Sequence, residues 1–184
     1  MFFICFKLQK IKKDLNKTKP IMKKEYLEKV QTIDDLITAF YACLGGEPGE
    51  KRDWDFMKYL FHPQGMKIGY EYDINKNFRP QWIHPNDYIE RIGFWFNNTR
   101  ETAFYERELG RVVETYGNIG HAFSHCEAFH SKEDMANNKP YKQDVKSIQL
   151  AYYQDRWWII NMFWHGVTPE FPVPDRYKKF QQFP

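Results

Sequence analysis

The chain has 184 residues, which fits one domain with a tail. Apolar residues at 42% and charged residues at 28% exclude wholesale disorder, and no apolar run approaches the ~18 residues of a membrane span. The net charge of +3 is unevenly placed: residues 1–21 hold Lys7, Lys10, Lys12, Lys13, Lys17 and Lys19 against Asp14 alone, and the remainder is slightly acidic. A nucleic-acid reader would carry its basic excess on the folded part, so neither nucleic acid nor membrane is an expected partner.

Aromatic residues are the anomaly, at 18% of the chain. Such an excess buries large flat surfaces or lines a pocket. Three cysteines without paired spacing argue against a disulfide framework and fit a reducing, cytoplasmic setting. Residues 1–21 read as a basic, disordered leader. Its apolar part, Phe2–Phe6, is too short for a secretory signal, and Met22-Lys23-Lys24 reads as a natural start. The expected organisation is therefore leader 1–21, folded domain 22–168 and a proline-containing extended tail 169–184.

In chain order, Ile33, Leu36, Ile37, Phe40, Tyr41 and Leu44 form one helical stripe, capped by Thr32 and ended by Gly45-Gly46. Asp53 caps a short helix from Trp54 to Phe61, stopped by His62-Pro63-Gln64-Gly65. Met66–Tyr72 reads as a strand and Asp73–His84 as a loop. Asp87 caps a third helix with Tyr88, Ile89, Ile92, Trp95 and Phe96 on its apolar face. Then the period changes to two. Ala103–Tyr116, Ile119–His130, Val145–Gln154 and Trp157–Val167 read as long strands, with hairpin turns at Gly117-Asn118 and Gln154-Asp155-Arg156 and a polar loop over Lys132–Lys142.

This order predicts an α+β fold with helices on one face of an antiparallel sheet. Strict alternation puts Trp157, Ile159 and Phe163 on one side of the last strand and Trp158, Ile160, Met162 and Trp164 on the other. Both faces then need cover. The helices cover one, and a second copy of the sheet is expected on the other, which predicts a homodimer. The competing cover is the tail, folded back.

The end of the first helix at Leu44-Gly45-Gly46, the tryptophan helix running into "LFHPQG", the segment "YGNIGHAFSHCEAF" and "SIQLAYYQDRWWIINMFW" together resemble the nuclear transport factor 2-like superfamily, and within it the SnoaL-like bacterial branch. The resemblance covers Gln31 to Val167. It implies a cone: a strongly curved antiparallel sheet wrapped around a pocket, closed by about three N-terminal helices, usually dimeric. The superfamily mixes isomerases, hydrolases, dehydratases, cyclases and non-catalytic binding domains, so it implies no single function. Compared with its ketosteroid isomerase branch, the first-helix tyrosine matches Tyr41. Gln149 stands where that branch has a carboxylic acid, and Gly69 stands near its catalytic carboxylate. An isomerase of that kind is not expected.

The residues offer three kinds of chemistry. His121, His125 and Glu127 in "HAFSHCEAFH" look like metal ligands, but on a strand four residues span ~13 Å, so no metal is expected. The cysteines lack a nucleophile motif, no phosphate-binding glycine loop occurs, and no cofactor is called for. Acid–base chemistry is the live possibility, because burial in an apolar pocket moves carboxylate and histidine pKa values toward neutrality. Candidate acid–base groups are Glu106, His121 and Tyr41. Candidate ligand contacts are Tyr41, Trp54, His62, Glu106, His121, Glu127, Gln149 and Trp164. For each there is an ordinary alternative: an ion pair of Glu106 or Glu108 with Arg107 or Arg111, a packed histidine, a core tryptophan. The expected function is binding of a small apolar or aromatic molecule; the alternative is a cofactor-free lyase, isomerase or hydrolase.

Overall fold

A computed structural model describes residues 24–72 and 77–183. The expected leader 1–21 and a start at Met22 lie outside the described residues. The elements run α1 (Lys24–Glu28), α2 (Ile33–Leu44), α3 (Trp54–Leu60), β1 (Phe61–Tyr72), β2 (Phe78–Ile83), α4 (Pro85–Asn98), β3 (Tyr105–Tyr116), β4 (Ile119–Phe129), α5 (Lys132–Ala136), β5 (Lys142–Tyr152), β6 (Trp157–Gly166), a 3₁₀ turn (Asp175–Lys178) and β7 (Phe180–Phe183). The seven strands form one open, curved sheet in the order β2-β1-β6-β5-β4-β3-β7. The expected α+β class is observed.

Local chemistry accounts for most of these boundaries. The Thr32 hydroxyl accepts from the Asp35 amide at 3.0 Å, and every member of the expected stripe in α2 is buried. Asp53 caps α3 by accepting from the Phe56 amide. The third long helix departs from expectation: it starts at Pro85 with His84 as its cap, not at Asp87, because proline is well suited to a first helical turn. Two strands stand where a loop and an extended tail were expected. Phe78–Ile83 pairs with β1 at the sheet edge, where Pro80 is tolerated. Phe180–Phe183 adds to the other edge, parallel to β3.

Two bulges set the sheet's phase. On β3 the register slips between Glu108 and Gly110, and on β5–β6 it slips opposite Ile160. A bulge reverses which face the following residues occupy. Strict alternation along β6 therefore fails. Ile159 and Met162 are both fully buried, and Trp157, Ile159, Met162 and Trp164 share the inner face with their partners Leu150, Ile148 and Lys146. On β3, Glu106 and Glu108 face inward, whereas Val112, beyond the bulge and at the same parity, pairs with outward-facing Phe123.

The inner face packs on the helices. Arg156, in the Arg156-Trp157-Trp158 segment, pins α3 to β6: its guanidinium lies 3.7 Å from both the Tyr59 and Trp158 ring centroids and donates to the Tyr59 carbonyl at 2.6 Å. The outer face is partly covered by the tail. Tyr177 is buried and stacks on Phe123 at 4.7 Å, and a Cβ at Gly110 would sit 2.4 Å from the Tyr177 carbonyl oxygen.

Candidate functional site: an aromatic cavity with a charged floor

A cavity of about 490 Å³ opens between α4 and the inner face of the sheet. Its walls are apolar: Tyr88, Ile92 and Phe96 from α4, Leu44 from α2, Phe104 just before β3, and Trp164 from β6. Trp95 and Arg91 are exposed at its edge. Each wall has a local cause. The apolar face of α4 points its residues at the sheet. Trp164 lies over Gly69, its register partner on β1, where a Cβ would meet the indole at 2.1 Å. The missing side chain at Gly69 is what seats the indole.

The floor is charged, because inward positions on three strands carry ionisable groups: Lys67 on β1, Glu106 on β3, Asp144 and Lys146 on β5. The Lys146 ammonium donates to Glu106 Oε1 at 3.1 Å and to Cys126 Sγ at 2.7 Å, and sits 4.8 Å from the Tyr41 ring centroid. Burial opposes that charge, but its anionic neighbours outweigh burial and hold Lys146 well above the usual lysine range. The partner in that balance is Glu106, since burial pushes the Cys126 thiol itself up to about 11. Glu106 Oε2 and Asp144 Oδ1 are buried and lack a hydrogen-bond partner among the described residues.

Lys67 is different. It is buried, and its amine lies 4.3 Å from the Tyr88 ring centroid, 4.5 Å from Trp164 and 4.9 Å from Phe40. Its polar contact is the Met162 thioether at 3.6 Å, a weak acceptor. No carboxylate lies within ion-pair distance among the described residues. Burial, reinforced by the Lys146 charge, lowers its pKa to about 7. The Tyr88 ring is partly buried, and desolvation pushes its hydroxyl up.

Glu106, Cys126 and Asp144 bring one donor atom each within 4.8 Å of one another. The Lys146 ammonium contacts two of the three, so a cation already sits among these donors. A second buried chain lies beneath: Tyr41 and Ser124 are joined at 2.6 Å, Ser124 donates to Glu108, and Arg111 grips Glu108 with two bonds and Asp34 with one. Neither Tyr41 nor Glu108 lines the cavity.

Of the residues singled out from sequence, Glu106 and Trp164 line the cavity together. Trp54 backs its wall by stacking on Phe96, and Tyr41 lies behind Lys146. The other four lie elsewhere. His121, Glu127 and Gln149 point to the outer face, because inward positions on β4 fall on Ala122, Ser124 and Cys126. His121 meets Ser147 at 2.9 Å and is lowered by burial; Glu127 takes Arg107 and Gln143 at 2.9 Å each. His62 stands edge-on to Trp158 outside the cavity. Sequence reasoning missed Lys67, Tyr88, Asp144 and Lys146. For two of them a signal existed: Ile148 and Leu150 mark the inner face of β5, and Asp144 and Lys146 are in phase with them.

No family model matches the sequence, and no curated protein matches it. Solved structures do. An NTF2-like protein of unknown function from Pseudomonas putida superposes with a TM-score of 0.55 at 10% identity, over 77% of this chain and 89% of that one. A protein of unknown function with a cystatin-like fold from Nostoc punctiforme gives 0.54 at 12% identity, over 77% and 92%. An uncharacterised protein with a cystatin-like fold from Caulobacter vibrioides gives 0.50 at 12% identity, over 78% and 92%.

Proposed function

We propose that this chain, which has the nuclear transport factor 2-like fold, is a small-molecule pocket protein of the SnoaL-like type, its sheet and helices forming a cone that binds a small apolar or aromatic ligand. One observation carries this reading: a cavity of about 490 Å³, inside the range of ligand sites, with aromatic walls and a few polar groups on its floor. The walls supply area for a flat ligand, and the floor orients an oxygen or nitrogen on it. A thermal-shift screen of phenolics, terpenoids, steroids and aromatic acids tests it. A ligand at 100 times its Kd adds about 2.7 kcal/mol. Ala128→Leu, which fills the cavity from β4, should abolish the shift. A shift that survives this substitution would place binding elsewhere.

The acid–base alternative is favoured by one feature, the unpartnered Glu106 Oε2 at the cavity. In that reading Glu106 moves a proton on the bound molecule without a cofactor. Exchange of ligand hydrogens with deuterated water, lost in Glu106→Gln, is its expected signature. The proposal also keeps a homodimer, seated on the part of the outer face that the tail leaves half-exposed, at Trp158 and Phe163. Light scattering should give twice the chain mass, and Phe163→Asp should give a monomer.

A further inference from the structure

Lys67 is an amine at the wall of an apolar cavity, with three aromatic rings around it and a thioether as its polar contact. An ammonium there has three N–H donors and no anion within ion-pair distance among the described residues. Structural lysines are stabilised by partners, as Lys146 is by Glu106. A lysine desolvated in an apolar pocket beside a second cation is instead prepared as a nucleophile. Two carboxylate oxygens at the same cavity, Glu106 Oε2 and Asp144 Oδ1, have no hydrogen-bond partner among the described residues and can take part in proton relay.

We infer that Lys67 forms a Schiff base with the carbonyl of an aromatic or α,β-unsaturated aldehyde or ketone bound in this cavity, an inference that rests on the pocket reading above. The neutral amine attacks the carbonyl carbon, and the C=O π pair becomes a hydroxyl once a proton moves from nitrogen to oxygen. The C–O bond of this carbinolamine then breaks. A proton taken from water and relayed through Glu106 Oε2 or Asp144 Oδ1 lets the hydroxyl leave as water, the nitrogen pair forms C=N, and the nitrogen's proton returns to water through the same oxygen. Amine and carbonyl become imine and water, with no change of oxidation state. The aromatic walls fit the conjugated part of such a ligand.

Burial already lowers Lys67 to about 7, so much of the amine is neutral where surface lysines are protonated. The charged and titratable groups around it are Lys146 and Asp144 from β5, Glu106 from β3, Cys126 from β4, and Tyr88 and Arg91 from α4.

The test uses the full chain, cinnamaldehyde with cyanoborohydride at neutral pH, and cinnamyl alcohol as the carbonyl-free probe. Mass spectrometry should find one reduced adduct, mapped to Lys67 and absent from Lys67→Met. Cinnamyl alcohol should raise the melting temperature of both proteins. The adduct rate should rise through about pH 7. Binding of the alcohol with adducts scattered over surface lysines, or with no adduct, overturns the inference and leaves the pocket reading standing. Absence of both binding and adduct overturns the two together.

Discussion

Lys67 and Lys146 are two buried amines with opposite fates, and the difference lies in their neighbours. Lys146 has Glu106 at 3.1 Å; Lys67 has ring faces and a sulfur. The Lys67 pKa of about 7 lies below the ~10.4 of a free lysine. Between those values the unfolded chain holds a proton that the folded chain has released, so stability should rise with pH across that window. Below pH 7 both states are protonated and the whole cost of burying the charge is present. Lys67→Met should remove this slope, which approaches ~1.4 kcal/mol per pH unit. Paired denaturant titrations at pH 6.5 and 9.5 read the difference; equal pH dependence in both proteins contradicts the assignment. Glu106→Gln, by stranding the Lys146 charge, should cost about 3–5 kcal/mol, checked by the same titrations. Lys67 itself was not legible in the sequence, because the alternation of Met66, Ile68, Tyr70 and Tyr72 makes the other side of β1 read as the core face, whereas the register sets Lys67 beside Met162 and Gly69 beside Trp164 on the inner face.

At the scale of elements, the long helix α2 and the four central strands were legible because apolar stripes and turn residues agree with the final fold. The turn before β6 is an example: Gln154 and Asp155 have φ of 55° and 59°, the pattern of a two-residue hairpin turn. What stayed hidden were the bulges. A bulge opposite Ile160 leaves no mark in residue type, yet it turns Met162 and Trp164 onto the face of Ile159. The edge strands were equally hidden, since Pro80 and the prolines before β7 read as loop. The seat of Trp164 gives an element-level prediction. Gly69→Ala pushes the indole out of its contact with β1 and should cost about 1–3 kcal/mol, as overpacking does. A calorimetric melt checks the stability, and a change in tryptophan emission reports the displaced wall; an unchanged melt with unchanged emission contradicts the packing described.

For the molecule as a whole, the two faces of the sheet have different covers. Helices close the inner face around the cavity, and the tail closes part of the outer one. The expectation that a second copy covers the outer face rested on strict alternation in β6, which the bulge at Ile160 breaks; the folded-back tail, its competing cover, takes part of that face through Tyr177 on Phe123. Tyr177→Ala, removing a buried ring from Phe123, should cost about 3–5 kcal/mol, and a chain ending at residue 168 should melt lower still. Described helices include none long and apolar enough to cross a membrane. The candidate site was legible by class and, of its lining, through Glu106 and Trp164; the rest of its floor depends on strand phase, which residue type does not show. The central claim, that this cavity holds a flat apolar ligand, is tested most directly by calorimetric titration of the strongest screened ligand at several temperatures. The account predicts saturable binding with a negative heat-capacity change that disappears in Ala128→Leu. Binding with no heat-capacity change, or binding unaffected by filling the cavity, would contradict it.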